Sequence, residues 1–460
     1  MTNQASRRAF LKRASALGVA GVAAPWAINL MSIAEAAAAT ATDYKALVCV
    51  FLYGGNDYAN TVVPYDTTNY TLYQQLRPTI AYARDALTAT ALAPSVPVLD
   101  STGATREFAL APALAPLVPI FNAGALGVML NVGPLIQPTT KAQYQARSVP
   151  LPPKLFSHND QQSIWQSSAP EGSRSGWGGR LGDLFESGNG NATFTCVNVS
   201  GNAVFMAGKT AVQYQVSANG SMQFNGLKSP LFGSATATDA LRTLITQQRT
   251  HALENEYNRV TRRSVDANAA LTTALATAPA LQTVFPASNS LGDQLKMVAR
   301  MISANGSLGA KRQIFFVSMG GFDTHDSLAT VHPGLMAKLG DAMSAFYQAT
   351  VELGVADKVT TFTASDFGRT LVANNDGSDH GWGSMHFMMG GAVKGKRFYG
   401  TAPVVANNGP DDVGQGRLLP STSVDQYAAT MGKWLGASDS DLLSLLPNLS
   451  NYTTRDLGFL

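Results

Sequence analysis

The sequence predicts an α/β protein with a mostly parallel central sheet and helices on both faces. Three observations predict it. Strong apolar runs alternate with helical patterns along the chain. The runs Ala46–Tyr53, Ala125–Val132, Gln313–Met319 and Val359–Phe362 are nearly uninterrupted, as expected of strands covered on both faces. Three of these runs are followed by an acid in a small, polar loop: GGND (54–57), GGFDTHD (320–326) and ASDFGR (364–369). Ligands of such sheets bind beyond the carboxyl ends of the strands.

In chain order, the first 40 residues read as a leader. Ser6–Lys12 (SRRAFLK) is a twin-arginine signature, followed by an apolar stretch, Ala14–Met31, and small residues, Ala36–Thr40, suited to cleavage. Pro25 and Asn29 interrupt the apolar stretch and argue against a stable membrane anchor. The expected location is therefore periplasmic or secreted, with the twin-arginine translocase as a partner during export. The chain has 33 basic and 30 acidic residues, and without the leader the two balance. No basic patch for nucleic acid remains. Residues 41–460 are expected to form a single domain, with an insertion at about 204–290.

The first apolar run ends in Gly54-Gly55, which allow a tight turn and place Asp57 at its end. Ser157-His158-Asn159-Asp160 has the S-x-x-D form of a helix start, and the helix should continue through Trp165. Phe194–Val199 reads as a short strand, residues 204–235 as loops and hairpins, and Thr238–Ala278 as helical. Leu291–Ile302, Leu335–Leu353 and Val424–Leu435 complete the helices. Cys49 and Cys196 both fall in apolar runs. An oxidising compartment permits a disulfide, and burial as two free thiols is the plainer expectation.

Residues 363–391 concentrate the chemistry. Only 14% of the chain is charged, yet this stretch holds three acids, Arg369 and two of the six histidines. Polar groups at the end of a buried strand are costly unless they bind something. Together with the other strand ends they give Asp57, Asp323, His325, Asp366 and His380 as candidate metal ligands. Carboxylates mixed with imidazoles suit zinc, manganese or iron, and carboxylates alone suit magnesium or calcium. Ser157 is either a nucleophile at a helix start or a helix cap. His158 is a base, a ligand or a polar contact, and Arg369 a candidate oxyanion clamp. No G-x-S-x-G elbow and no G-x-G-x-x-G after a strand occur.

The segments FLYGGNDYANTVVPYD, YQQLRP, the His158 helix, GGFDTHD, SDFGRT, GSDHG, GGAVKGKRFYG and KWLGA stand in an order that resembles the domain of unknown function family 1501, over residues 44–440. That family looks like a distant branch of the alkaline phosphatase and sulfatase superfamily. The resemblance implies an alkaline phosphatase-like fold, two metals at the sheet edge and a nucleophile at a helix start. It puts Asp57 as the acid after the first strand and Ser157 at the nucleophile's place. Asp323 and His325 become the acid–histidine pair of one metal, with Asp366 and His380 as further ligands. The chain departs from the pattern where Phe367 replaces a histidine and where no C-x-P-S-R sequence exists. The function implied is metal-dependent hydrolysis of a phosphate or sulfate ester, small or polysaccharide, with a divalent metal such as zinc, calcium or manganese. The alternative is a catalytically inactive periplasmic binding or assembly protein that keeps the fold.

Overall fold

The computed structural model describes residues 43–221 and 224–460, and the expected leader lies outside the described residues. Tyr44–Leu460 form one compact unit. Its centre is a 10-stranded sheet. The strands that matter for the site are β1 (Lys45–Leu52), β2 (Leu126–Gly133), β3 (Cys196–Asn198) and the hairpin β4 (Tyr214–Ser217) with β5 (Gly220–Ser221). They continue with β6 (Arg312–Met319), β7 (Val359–Ser365), the separate hairpin β8 (Arg369–Ala373) with β9 (Ser378–His380), and β10 (Ser384–Met389). Last come β11 (Arg397–Tyr399) and β12 (Thr422–Ser423). The spatial order is β11-β2-β10-β7-β1-β6-β3-β4-β5, with β12 beside β2.

β1 is central and pairs in parallel with β6 on one side and β7 on the other. β10 runs antiparallel to both β7 and β2, so the sheet is mixed but mostly parallel.

The uninterrupted apolar character of β1 follows from its two faces. Ala46, Val48, Val50 and Leu52 join a core that includes residues of α6 (Ser290–Ser303) and α7 (Leu328–Glu352). Leu47, Cys49 and Phe51 join a second core with α3 (Trp177–Phe185) and α8 (Val424–Leu435). At roughly 25 cal/mol per Å² of buried apolar surface, these two layers are the main stabilising contribution. Cys49 and Cys196 are buried free thiols, separated by the intervening strand β6.

Two helices precede the site residues in importance. α1 (Thr67–Leu76) is capped by Asp66, whose carboxylate accepts from Asn69 N, and it ends at Arg77. α2 (His158–Ser167) begins after Ser157. The helical stretch expected at 238–278 is two helices, α4 (Ala235–Thr246) and α5 (Ala252–Thr277). The helix expected from Leu335 begins at Leu328, with Pro333 inside it. Among the described residues no helix is long and apolar enough to cross a membrane.

Candidate metal centre

Adjacent parallel strands β7, β1 and β6 deliver their following loops to one edge. Gly54, at φ 117°, makes the close approach possible: a Cβ there would stand 2.4 Å from Asp323 N. Gly377 does the same for the β8–β9 hairpin, where a Cβ would meet His325 O at 2.2 Å. Any side chain at either position would push apart the loops that carry Asp323, His325 and His380.

Ligand atoms of His158, Asp323 and His380 all lie within 4.8 Å of one another. His158 Nε2 is 3.4 Å from Asp323 Oδ2, and His380 Nε2 is 3.2 Å from Asp323 Oδ1. Each imidazole is fixed from behind. His380 Nδ1 stands 2.8 Å from Phe156 O, and a carbonyl only accepts, so Nδ1 carries the proton. His158 Nδ1 stands 2.6 Å from Asp366 Oδ2 and donates to it. In the neutral tautomers so fixed, both Nε2 lone pairs face the carboxylate of Asp323. The Phe367 ring lies 4.8 Å from the His158 ring and 4.7 Å from the His380 ring, an apolar wedge against both. The residue that replaces a histidine in the resembled pattern thus orients two others.

His325 flanks the group at its exposed side. Its Nε2 is 2.9 Å from His380 Nε2 and 3.1 Å from Asp323 Oδ1, while its Nδ1 is 3.3 Å from Asp379 Oδ1. Asn374 Nδ2 donates to the same Asp379 oxygen at 2.6 Å. In a metal-free protein the His325 Nε2 proton can bridge the facing acceptors.

The electrostatics follow from these contacts. Burial works to raise the Asp323 carboxyl, but the hydrogen bond and charge of Arg369, with His158 and His325, hold it below the usual carboxylate range. The Asp366 hydrogen bond raises His158, and burial lowers His380. His380 therefore stays neutral, with its lone pair toward Asp323.

The remaining expected residues are placed as follows. Asp366 is fully buried and contacts the group only through His158. Asp57 does not join it, because Arg77 Nη2 at 2.6 Å, Ser378 Oγ at 2.7 Å and Asn60 N at 2.9 Å saturate its carboxylate. Arg369 is buried, and its guanidinium is occupied within the protein. Nη1 donates to Asp323 Oδ1 at 2.5 Å and to Gly54 O at 3.3 Å, and Nη2 to Ser378 O. It holds Asp323 rather than facing outward. Ser157 sits at the N-cap position, yet its Oγ donates to Asp160 Oδ2 at 3.1 Å instead of accepting from the backbone. His386 lies in β10 beneath Trp165, with ring centroids 4.9 Å apart, and belongs to the core.

Sequence reasoning missed Gln162, which donates to Asp366 Oδ2 at 2.8 Å, and Phe156, whose carbonyl holds His380. The i, i+4 spacing of His158 and Gln162 on a helix was the available signal.

These donors fit a divalent cation. The two imidazoles approach different oxygens of Asp323, at 3.4 and 3.2 Å, and one ligand atom from each of the three residues lies within 4.8 Å of the others, close enough for a single ion to draw them together. Each of the two imidazoles has an acceptor behind it, as metal-ligating histidines usually do. Calcium, which takes six to eight oxygens, fits poorly.

No curated protein matches the chain in sequence. Among solved structures it is similar to Ps i-CgsB in complex with k-i-k-neocarrahexaose, at 9% identity and TM-score 0.35, over 88% of this chain and 74% of that one. It is also similar to the PsFucS1 sulfatase from Pseudoalteromonas sp., at 11% identity and TM-score 0.29, over 90% and 70%. A mutant of the alkaline phosphatase PafA matches at 10% identity and TM-score 0.27, over 72% and 64%. Likeness at these scores assigns no chemistry to this chain. The family profile described as "Protein of unknown function (DUF1501)" matches residues 44–444, and the chain belongs to that family.

Proposed function

We propose that the protein is an exported, metal-dependent hydrolase of a phosphate or sulfate ester. The observation that supports this most is the convergence of two oriented imidazole Nε2 atoms on one carboxylate. His158, His380 and Asp323 would hold the ion, and zinc or manganese suits that donor set better than calcium. A bound ion supplies Lewis acidity, polarising an ester oxygen and lowering the pKa of an attacking hydroxyl or water.

The chain's own groups do the rest. Arg369 and Gly54 N fix the two acids that set the geometry, Asp323 and Asp366. No side chain caps α2, so its first-turn amides are donors for an anionic group beside His158. The Ser157 hydroxyl is the candidate nucleophile, with its proton directed at Asp160. The ester belongs to a small molecule or a polysaccharide. One observation favours the alternative of a binding or assembly protein without activity: the guanidinium of Arg369, the expected oxyanion clamp, is already occupied.

The test is metal-linked stability of the full-length protein after chelation. Zinc or manganese at a hundredfold its dissociation constant should stabilise by about 2.7 kcal/mol, read as a raised melting temperature. That gain should vanish in His380→Ala. If neither metal moves the melting temperature of the unmutated protein, the hydrolase reading falls. Metal-loaded protein that cleaves neither aryl phosphate nor aryl sulfate would decide for the binding protein. Export by the twin-arginine route is part of the proposal. Precursor carrying Arg7→Lys and Arg8→Lys should stay in the cytoplasm, and its normal accumulation outside would refute the route.

A further inference from the structure

We propose that Gln162 is a positioning residue for this centre, acting through Asp366 on His158. The proposal rests on the metal reading above.

Asp366 leaves the end of β7 with no solvent exposure. Its two oxygens are treated unequally. Oδ2 accepts from His158 Nδ1 at 2.6 Å, Gln162 Nε2 at 2.8 Å and Gly54 N at 3.1 Å, whereas Oδ1 has no hydrogen-bond partner. A buried carboxylate oxygen gains from every donor it can reach, so loading three donors on one oxygen needs an enforced geometry. The enforcement comes from two directions. Gly54 N is backbone at the end of β1 and cannot move without the sheet. Gln162 stands one helical turn after His158 on α2, so both side chains reach Asp366 from the same face.

The consequence falls on the imidazole. His158 is attached to α2 by a flexible side chain, and its Nε2 points at Asp323 only while Nδ1 is anchored. With Gln162 in place, the carboxylate is pinned at Oδ2 by a donor on the same helix as the histidine it holds. Helix, anchor and ligand then form a closed loop of contacts, and Phe367 blocks tilting of the ring from another side. Without Gln162, only Gly54 N and His158 itself decide which Asp366 oxygen faces the ring, and Oδ1, with no partner to lose, can take its place. Asp366 meets the centre through His158 Nδ1, which gives it a role behind the histidine. Groups behind a metal-ligating histidine typically govern metal affinity by 10–100-fold.

The experiment measures zinc affinity of full-length protein by competition with a chromophoric chelator, with the visible spectrum of the cobalt-substituted protein as a second readout. Gln162→Leu removes the donor, and Gln162→Met removes it while keeping the length of the side chain, in case the first variant folds poorly. Both should bind zinc about tenfold or more weakly and show an altered cobalt spectrum, with the metal-free melting temperature close to that of the unmutated protein. Unchanged affinity and spectrum in a folded variant overturn the proposal and leave the metal reading standing. A lowered metal-free melting temperature with unchanged affinity makes Gln162 merely structural and also overturns it. Failure of the unmutated protein to bind zinc or cobalt overturns both.

Discussion

Asp57 and Asp323 follow Gly-Gly turns or near neighbours of them at the ends of adjacent parallel strands, and the fold treats them oppositely. Asp57 has no exposure and three donors, one of them the full charge of Arg77. Arg77 in turn donates to Thr370 O, Leu371 O and Asn60 Oδ1 at 3.0, 2.9 and 3.2 Å. Burial pushes the Asp57 carboxyl up, and Arg77, His332 and Ser378 outweigh it, so it stays ionised. The network is closed, and it ties α1 to the loop after β1 and to the β8–β9 hairpin. Asp323 also has a charged partner, Arg369 Nη1 at 2.5 Å, but it is 45% exposed at its side chain and its other neighbours are the imidazoles of His158, His325 and His380. A carboxylate whose partners are all donors is a structural tie. One left half-open among imidazoles is, on the function proposed above, the place for a cation.

The comparison is broken most forcefully at Arg77. Arg77→Met leaves Asp57 buried without a counter-charge and should cost about 3–5 kcal/mol of stability, measured by urea unfolding of the metal-free protein. Zinc-dependent stabilisation of the folded fraction should persist. Asp323→Asn should do the reverse, with the metal response lost and a smaller change in metal-free stability. A costlier Asp323→Asn than Arg77→Met would show that the two roles are assigned the wrong way round.

The smallest effect is one of pH. Burial lowers His332 from 6.5 to about 4, although the Asp57 charge acts to raise it. Arg77 is the other charged group facing it, and Asn56 Oδ1 lies 3.2 Å from its Nε2. Between about pH 6.5 and 4 the unfolded chain binds a proton at His332 that the folded chain does not. Stability is therefore full above that window and falls as pH drops through it. His332→Asn should flatten the slope of unfolding free energy against pH in this range. Part of the slope should remain, because His386 is likewise lowered by burial, to about 3. An unchanged slope would mean that His332 is not held neutral.

Much of the fold was legible because its signals are local. β1, β6 and β7 are apolar runs that any sheet buried on both faces requires, and the acids after them mark the edge. What was not legible depends on distant partners. Asp57 reads like Asp323 in sequence, and only the fold brings Arg77 to one and His158 to the other. The helix read from Leu335 begins two turns earlier, at Leu328, and so takes in and buries His332. β10, with its apolar SMHFMM, carried a strand signal masked by the polar residues just before it, and its antiparallel direction follows from a short return after the β8–β9 hairpin.

The placement of β1 sets the order in which this protein can be finished. Lys45 pairs with Arg312, and Ala46 with Val359, so the middle strand of the sheet has no neighbours until more than 260 further residues exist. On a ribosome adding about 5–20 residues per second, that is an interval of at least ten seconds. The group of His158, Asp323 and His380 closes later still, because His380 comes after both of those strands. A chain still being synthesised thus cannot bring His158, Asp323 and His380 together before residue 380 has been added, and an ion held by all three would enter only after that point.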